Sequence, residues 1–404
     1  MNEEIVLGLG GCLDYEISWD PAVLADLVER YGISAAELST SLEVSSERDL
    51  VRSVLGFVRD GVGGERSVAS SDIVEAFAAR FPRRTTLGGT NVRAALAMSR
   101  LGVRSTLHLV SIDDQVRQML PDEVSYVCSA TRDTVDPHLI VQFPAGSRVR
   151  AGDVDIEAPH ANRLIYVNDP PNRELGISPE LGSVLRSAAV FLVSGFNSMQ
   201  DAGTLRTRLD ELREHMRSLP AWAQVVYEDA GFHVPGMSDL VRERLLDLVD
   251  VYGMNEDELQ AYVGRRVDLL DADAVAVASA QLRDVVPART VVVHTKYWSL
   301  ALGEGAEAYR DALDRGIVMA STRYVHGDAF TIADYEQVAR LPRHGGGAAF
   351  ARQLERRLPG QACCVPAVIL ETPTPTTIGL GDSFVGGFIA ALARTRQGAG
   401  RGVA

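Results

Sequence analysis

Short runs of Val, Ile and Leu recur along this chain, and most are followed by an amphipathic helical stretch. The apolar runs are "EIVLGLG", "STLHLVS", "RLIYVND", "AVFLVSG", "AQVVYED", "LVDVYGM", "RTVVVHT" and "CCVPAVIL". Between them lie helical patterns such as "NVRAALAMSRLG", "TLRTRLDELREHMRSL", "NEDELQAYVG" and "ADAVAVASAQLRDV". A strand with no polar alternation is buried on both faces, and a strand–helix–strand rhythm joins parallel neighbours. The expected class is therefore α/β, a three-layer α/β/α core around a mostly parallel central sheet.

Two regions break the rhythm. Residues 15–83 read as polar and helical, as in "DPAVLADLVERYG" and "SERDLVRSVLGFVRDG", without a convincing strand. Residues 123–160 read as short alternating strands, including "EVSYVCSA", "PHLIVQFPAG" and "SRVRAG". Period-two patterning predicts a small sheet there, and a sheet inserted into an α/β core suits a lid. The expected organisation is a core of residues 1–14, 84–122 and 161–394, a helical insertion at 15–83, and a β-rich lid segment at 123–160. A Gly/Arg-rich flexible tail is expected at 395–404.

The formal charge of −14 argues against nucleic acid or an anionic membrane as the main partner. No apolar run is long enough to span a bilayer, and "MNEEIVLGLGG" lacks a basic leader, so a cytoplasmic protein is the expectation. Lys296 is the sole lysine, so the Walker loop, which needs its own lysine, is not available. The four cysteines form no C-x-x-C pair and read as buried, reduced thiols.

Ligands of open α/β sheets bind beyond the carboxyl ends of the strands, and several polar motifs fall there. In "TTIGLGDSFVGGF", residues 376–388, Gly379 and Gly381 permit a tight turn that leaves amide N–H groups at a helix start, an anion site. Asp382 beside them can accept a proton from a hydroxyl that attacks phosphorus, or can simply cap the helix. The small residues that follow would let the helix lie close to a nucleotide.

"GMNEDELQAYVG" places Asn255, Glu256, Asp257 and Glu258 at a strand end, suited to water-mediated Mg²⁺ or to the helix dipole alone. Glu228 and Asp229 in "VVYEDAG" either share that metal or face solvent. Gly88 and Gly89 in "TTLGGTN" are a tight turn before Thr90 and Asn91, or allow close approach of a sugar. Asp14 follows "GLGGCL", which lacks the third glycine of a dinucleotide fingerprint, so an oxidoreductase reading fails; Asp14 can instead hold a polyol hydroxyl. Arg83, Arg84, Arg93, Arg104, Arg148 and Arg150 are either solvated surface or contacts for a substrate phosphate.

Taken together, "GGTN", "GMNEDEL" and "GLGD" followed by "SFVGGFIAAL" resemble the ribokinase-like (PfkB) carbohydrate kinase superfamily. The stretches "ANRLIYVNDPPN", "FLVSGFNSMQD", "VVYEDAG", "GMNEDEL" and "VVVHTKYWSLALG" are most similar to its ADP-dependent glucokinase/phosphofructokinase branch. The resemblance covers most of residues 84–394. It implies a Mg²⁺-dependent glycolytic kinase that moves a phosphoryl group from ADP to a hexose or hexose phosphate, as a monomer or homodimer.

Position by position, the resemblance makes Asp382 the catalytic base and Gly379, Leu380 and Gly381 the anion hole. Asn255 and Glu258 fall on the N-x-x-E positions that organise Mg²⁺, and Glu228 on the acidic position of H-x-E. Asp14, Gly88, Gly89 and Asn91 would face the acceptor sugar. Two departures stand out: Val226 occupies the histidine position of H-x-E, and "GDSFVGGFIAAL" is more similar to ATP-using ribokinases. An ATP-dependent kinase of another sugar, polyol or nucleoside, and a catalytically silent sugar or nucleotide binder, are the alternative readings.

Overall fold

The computed structural model describes residues 4–232, 234–372, 376 and 378–400, with 4 and 395–400 as backbone only. The chain forms two compact units. The first comprises Met1–Gly11, Gly89–Arg132 and Pro171–Ala404, and the second Cys12–Gly88 and Asp133–Pro170.

The first unit is built on a nine-stranded sheet. Its strands run in the order Ala362–Pro366, Trp298–Leu302, Thr290–His294, Val251–Asn255, Gln224–Glu228, Ala188–Val193, Glu4–Leu7, Ser105–Leu109 and Val124–Cys128. All neighbours from Thr290–His294 to Val124–Cys128 pair in parallel, and Trp298–Leu302 alone runs against the rest. Strand side chains alternate between faces. Val225 and Tyr227, with Val291 and Val293, pack on Leu205, Leu209 and Leu212 of the helix Ala202–Met216 and on Val275 and Leu282 of Ala272–Val285. Asp201 and Asp271 cap those two helices by accepting first-turn N–H groups. The other face carries the helices Thr90–Ser99, Arg310–His326 and Leu380–Gly400. This is the three-layer arrangement of a ribokinase-like fold.

The small residues of "SFVGGFIAAL" serve helix packing rather than a nucleotide. A Cβ at Gly386 would lie 2.8 Å from the carbonyl of Ala94, and one at Gly387 2.5 Å from that of Arg315. Each lies well inside van der Waals contact, so only glycine lets these three backbones approach so closely.

The second unit has a mixed five-stranded sheet, ordered Gly64–Ser67, Asn162–Val167, His138–Phe143, Cys12–Ile17 and Arg83–Gly88. The helix Glu47–Asp60 is tied to it where the Tyr166 hydroxyl donates to Ser53 Oγ at 2.8 Å. The strands Arg148–Ala151 and Val154–Glu157 form a separate hairpin, with Arg148 and Arg150 both paired to Asp155.

Several boundaries differ from the sequence-based expectation. Residues 15–83 contribute the strand Gly64–Ser67 and the end of Cys12–Ile17 to the second sheet, and Cys12–Ile17 pairs along its whole length with Arg83–Gly88. The run "RLIYVND" joins that sheet too, against His138–Phe143. "EVSYVCSA" supplies the edge strand Val124–Cys128 of the large sheet, not a lid strand. An edge strand is half solvated, so it carries the alternating pattern of a lid and misleads a reading by period. Backbone of Leu380–Gly400 stays helical through 395–400, propagating from a buried segment; 401–404 lie outside the described residues. No described helix is long and apolar enough to cross a membrane.

His108, on Ser105–Leu109, is fully buried, and its Nε2 accepts the Ser178 N–H at 2.9 Å. Burial pushes its pKa down from 6.5 to about 4. The unfolded chain therefore binds the proton first, and this contribution to stability, complete above pH 6.5, is lost as pH falls through about 4. His108→Gln should unfold at lower denaturant than wild type at pH 7.5 yet lose less stability between pH 6.5 and 4, as read from urea midpoints across pH.

Candidate active site

Three adjacent strand ends of the first unit carry the polar groups. Glu228 and Asp229 end one strand, Asn255 the next and His294 the third. Glu228 and His294 are both buried, and Glu228 Oε1 lies 2.7 Å from His294 Nε2. They sit on strands separated by Val251–Asn255, so the contact crosses a whole strand. Gly253 makes that possible: a Cβ there would come within 2.1 Å of Glu228 Oε2. Burial alone would depress the imidazole pKa, but the Glu228 carboxylate holds it above its ordinary value. Burial in turn raises the Glu228 carboxyl, with His294 offsetting part of the rise.

His294 thus gives Glu228 an imidazole partner, while Val226 occupies the histidine position of H-x-E. Val226 shares Glu228's face of its own strand, and His294 reaches the same carboxylate from two strands away. The sequence carried a signal for it in "VVVHTK", a lone histidine at the end of a buried strand, but not for its partner.

Asp229 is a different case. It accepts from the hydroxyls of Tyr227 and Tyr252 at 3.1 and 3.0 Å, from Tyr262, and from the Ala230 N–H at 3.0 Å. A carboxylate so occupied is a structural node, which leaves Glu228 as the carboxylate at this strand end that could face a metal.

Asn255 caps the helix Glu256–Val263 by accepting from the N–H groups of Asp257 and Glu258, while Glu258 Oε2 accepts from Asn255 N–H at 2.9 Å. The N-x-x-E spacing is thus a capping box, which fixes the Glu258 carboxyl at the strand end. Burial pushes the Glu258 carboxyl up to about 7, aided by the charges of Glu228 and Asp229 and opposed by the Asn255 N–H.

Asp382 sits at the third position of the helix Leu380–Gly400, beyond the N-cap, so capping does not account for it. Gly379 has φ 68°, a left-handed turn that exposes the first N–H groups of the helix. His294 stacks on Phe384 with ring centroids 4.7 Å apart, and a Cβ at Gly381 would lie 3.2 Å from His294 Cε1. The glutamate–histidine pair and the glycine turn are therefore in direct packing contact. Arg93, read from the sequence as solvated surface or a phosphate contact, is buried, with Nε 3.9 Å from Asp382 Oδ2.

Beside this cluster opens a cleft of about 570 Å³. Ile317, Ala320, Val368, Leu370 and Phe384 give it apolar walls, and Asn255, Asp257, His294, Lys296 and Gly381 line its polar end.

The remaining predicted residues divide between the units. In the first, Asn91 is fully buried, its Nδ2 donating to the carbonyls of Gly10 and His108 at 3.0 and 3.2 Å and so bracing the loops, while its Oδ1 has no hydrogen-bond partner among the described residues. Gly89 has φ 96° and precedes the helix Thr90–Ser99, a conformation that requires glycine. In the second, a Cβ at Gly88 would meet both Asp14 Oδ2 and Cys12 Sγ at 2.5 Å. Asp14 is buried beside Cys12, whose thiol donates to it at 3.4 Å, and beside His138, which lies 2.9 Å from Asp169. Burial pushes the Cys12 thiol up to about 12, so it stays protonated.

Residues 3–389 match the conserved region of ADP-specific phosphofructokinase/glucokinase. The chain belongs to this family. It is accordingly a phosphotransferase of the carbohydrate kinase kind. Among solved structures, a phosphofructokinase from Pyrococcus horikoshii OT3 with AMP is similar at 17% identity, covering 98% of this chain and 99% of that one, with a TM-score of 0.80. A hypothetical ADP-dependent phosphofructokinase from the same organism gives 17% identity, the same coverage and 0.79. An ADP-dependent kinase in complex with fructose 6-phosphate and ADPβS gives 14% identity, covers 98% and 95%, and has a TM-score of 0.71. No curated protein sequence matches the chain.

Gly253→Ala tests the packing that joins Glu228 to His294. Relief of glycine entropy in a strand favours alanine by about 0.5–1 kcal/mol. Overpacking against a fixed carboxylate costs about 1–3 kcal/mol, so the clash should win. The variant should unfold at lower urea concentration than wild type; an unchanged or raised midpoint would mean that Glu228 moves aside freely.

Proposed function

We propose that this protein transfers the β-phosphoryl group of ADP to a hydroxyl of a hexose or hexose phosphate of the glucose or fructose 6-phosphate class. The observation that carries the reading is the packing of His294, paired with Glu228, against Gly381 and Phe384 of the helix that carries Asp382, with His294, Leu380 and Gly381 all lining one cleft. The family match over residues 3–389 favours ADP as donor.

In this reading the cleft takes the nucleotide, with its apolar walls against the base and its polar end toward the phosphates. The N–H groups of Leu380 and Gly381 hold oxygens of the transferred phosphoryl, helped by the helix dipole. Asp382 accepts the proton of the acceptor hydroxyl as its oxygen attacks phosphorus, and the bond to the departing AMP breaks. Asp14, Gly88 and Gly89 are assigned to the acceptor, with Asn91 bracing the adjoining loop.

The donor set fits Mg²⁺. Glu228, buried, and Glu258, half-buried, offer carboxylate oxygens at neighbouring strand ends, the donor type that Mg²⁺ takes. The described three-donor clusters tight enough for direct ligation lie elsewhere, so Glu228, Glu258 and Asn255 would hold the ion through its waters. A bound Mg²⁺ would neutralise phosphate charge; the chain's own part is to fix those carboxylates, through His294 and the capping box.

The test is a phosphorylation assay of purified protein with Mg²⁺, crossing ADP and ATP with glucose, fructose 6-phosphate and other sugars and nucleosides. Turnover with ADP and one of the first two acceptors is expected, and Asp382→Ala should lower kcat by about 10²–10⁴ while nucleotide still binds. Turnover with ATP alone would make the "GDSFVGGF" run the better guide to the donor. No turnover in folded, nucleotide-binding protein would favour a silent binder.

A further inference from the structure

Two buried arginines flank the turn that opens the helix Leu380–Gly400. Arg93, on Thr90–Ser99, is 8% exposed, and Arg323, on Arg310–His326, is 5% exposed. Asp328 takes Arg323 Nε and Nη2, at 2.8 and 2.7 Å. Arg323 Nη1 is buried with no hydrogen-bond partner among the described residues. Leaving a charged donor unmet in the interior is costly, so such a group marks strain or a missing ligand.

Its direction decides between these. A Cβ at Gly379 would lie 3.0 Å from Arg323 Nη1, and 2.9 and 3.1 Å from Arg93 Cδ and Nη1, so both guanidinium groups lie directly against the turn. Asp328 and Asp382 each offset one of the two charges, but from the far edges. Two like charges against the same turn, beside the positive end of a 21-residue helix, make a setting for an anion. Glycine at 379 is needed for room as well as for its φ.

We propose that Arg323, supported by Arg93, binds an oxygen of the phosphoryl group held at the Gly379–Gly381 turn. The inference rests on the phosphoryl-transfer reading and names a residue that the family motifs leave out. Arginine cannot be deprotonated in this setting, so it offers a fixed charge to oxygens whose charge is redistributed during transfer. Lysine would not reproduce the fork that lets one guanidinium hold Asp328 and a phosphate oxygen together.

The experiment is calorimetric titration of full-length wild type and Arg323→Gln with ADP, ATP and adenosine in Mg²⁺, beside steady-state kinetics. Wild type should bind a nucleotide more tightly than adenosine. Arg323→Gln should lose about 10–100-fold in nucleotide affinity or in kcat, the worth of a charge-assisted bond, with adenosine affinity kept within about 2-fold. Added guanidinium ion should restore part of the loss, which a structural role would not predict.

Nucleotide affinity and kcat both within about 2-fold of wild type would overturn the proposal, as would parallel loss of adenosine binding. If wild type binds nucleotide but phosphorylates nothing, the kinase reading fails while the affinity comparison still decides the arginine. Wild type that binds neither nucleotide better than adenosine overturns the assignment, because no phosphate is then held at the turn. Should Arg323→Gln not fold, Arg323→Met with Asp328→Asn removes both halves of the pair, and the same comparison applies.

Discussion

A sheet buried on both faces has no place for a charge except at its ends. On three adjacent strands of the first unit apolar residues run to the last position, and then Glu228, Asn255 and His294 appear side by side, whereas burial suppresses the charge of His108 inside Ser105–Leu109. Adjacent strands are about 4.8 Å apart, so these ends are brought within interaction range by the backbone ladder itself. Gly253 extends the reach by one strand. The raised pKa values of Glu228 and Glu258 follow directly from this crowding, since burial and mutual repulsion act on the same few groups.

The helix Leu380–Gly400 depends on the same edge. Its start packs on His294 through Phe384 and Gly381, and its middle is pressed on the neighbouring helices through Gly386 and Gly387. A Cβ at Gly316 would meet the Phe384 ring at 2.6 Å, so a second helix also yields space to that aromatic. The position of Asp382 is therefore set by interlocking glycines on several elements and not by its own short loop.

The parallel sheet was legible because each central strand is an unbroken apolar run, and "GLGD", "GMNEDEL" and "VVYEDAG" were legible because each is local in sequence. What could not be read was pairing over distance. Nothing near Val226 shows that His294 meets Glu228, since the two are joined only by strand order. Asp229 and Glu228 are chemically alike in sequence; three tyrosine hydroxyls, one from a separate helix, make one of them structural. Asn91 gave no local sign of its burial, and Arg93 carried the look of a surface residue until Asp382 was placed beside it. The second sheet was missed where its strands are short and polar, as in "GERS".

Lys296 has a further consequence. It is exposed, it is the sole lysine of the chain, and it lines the polar end of the cleft beside Thr295 and Asp257. Apart from the chain's amino terminus, an amine-directed reagent would find one side chain to acylate. The fold thus carries a built-in address for a single fluorophore or cross-linker at the cleft, with no cysteine engineering and none of the labelling mixtures that lysine-rich proteins give.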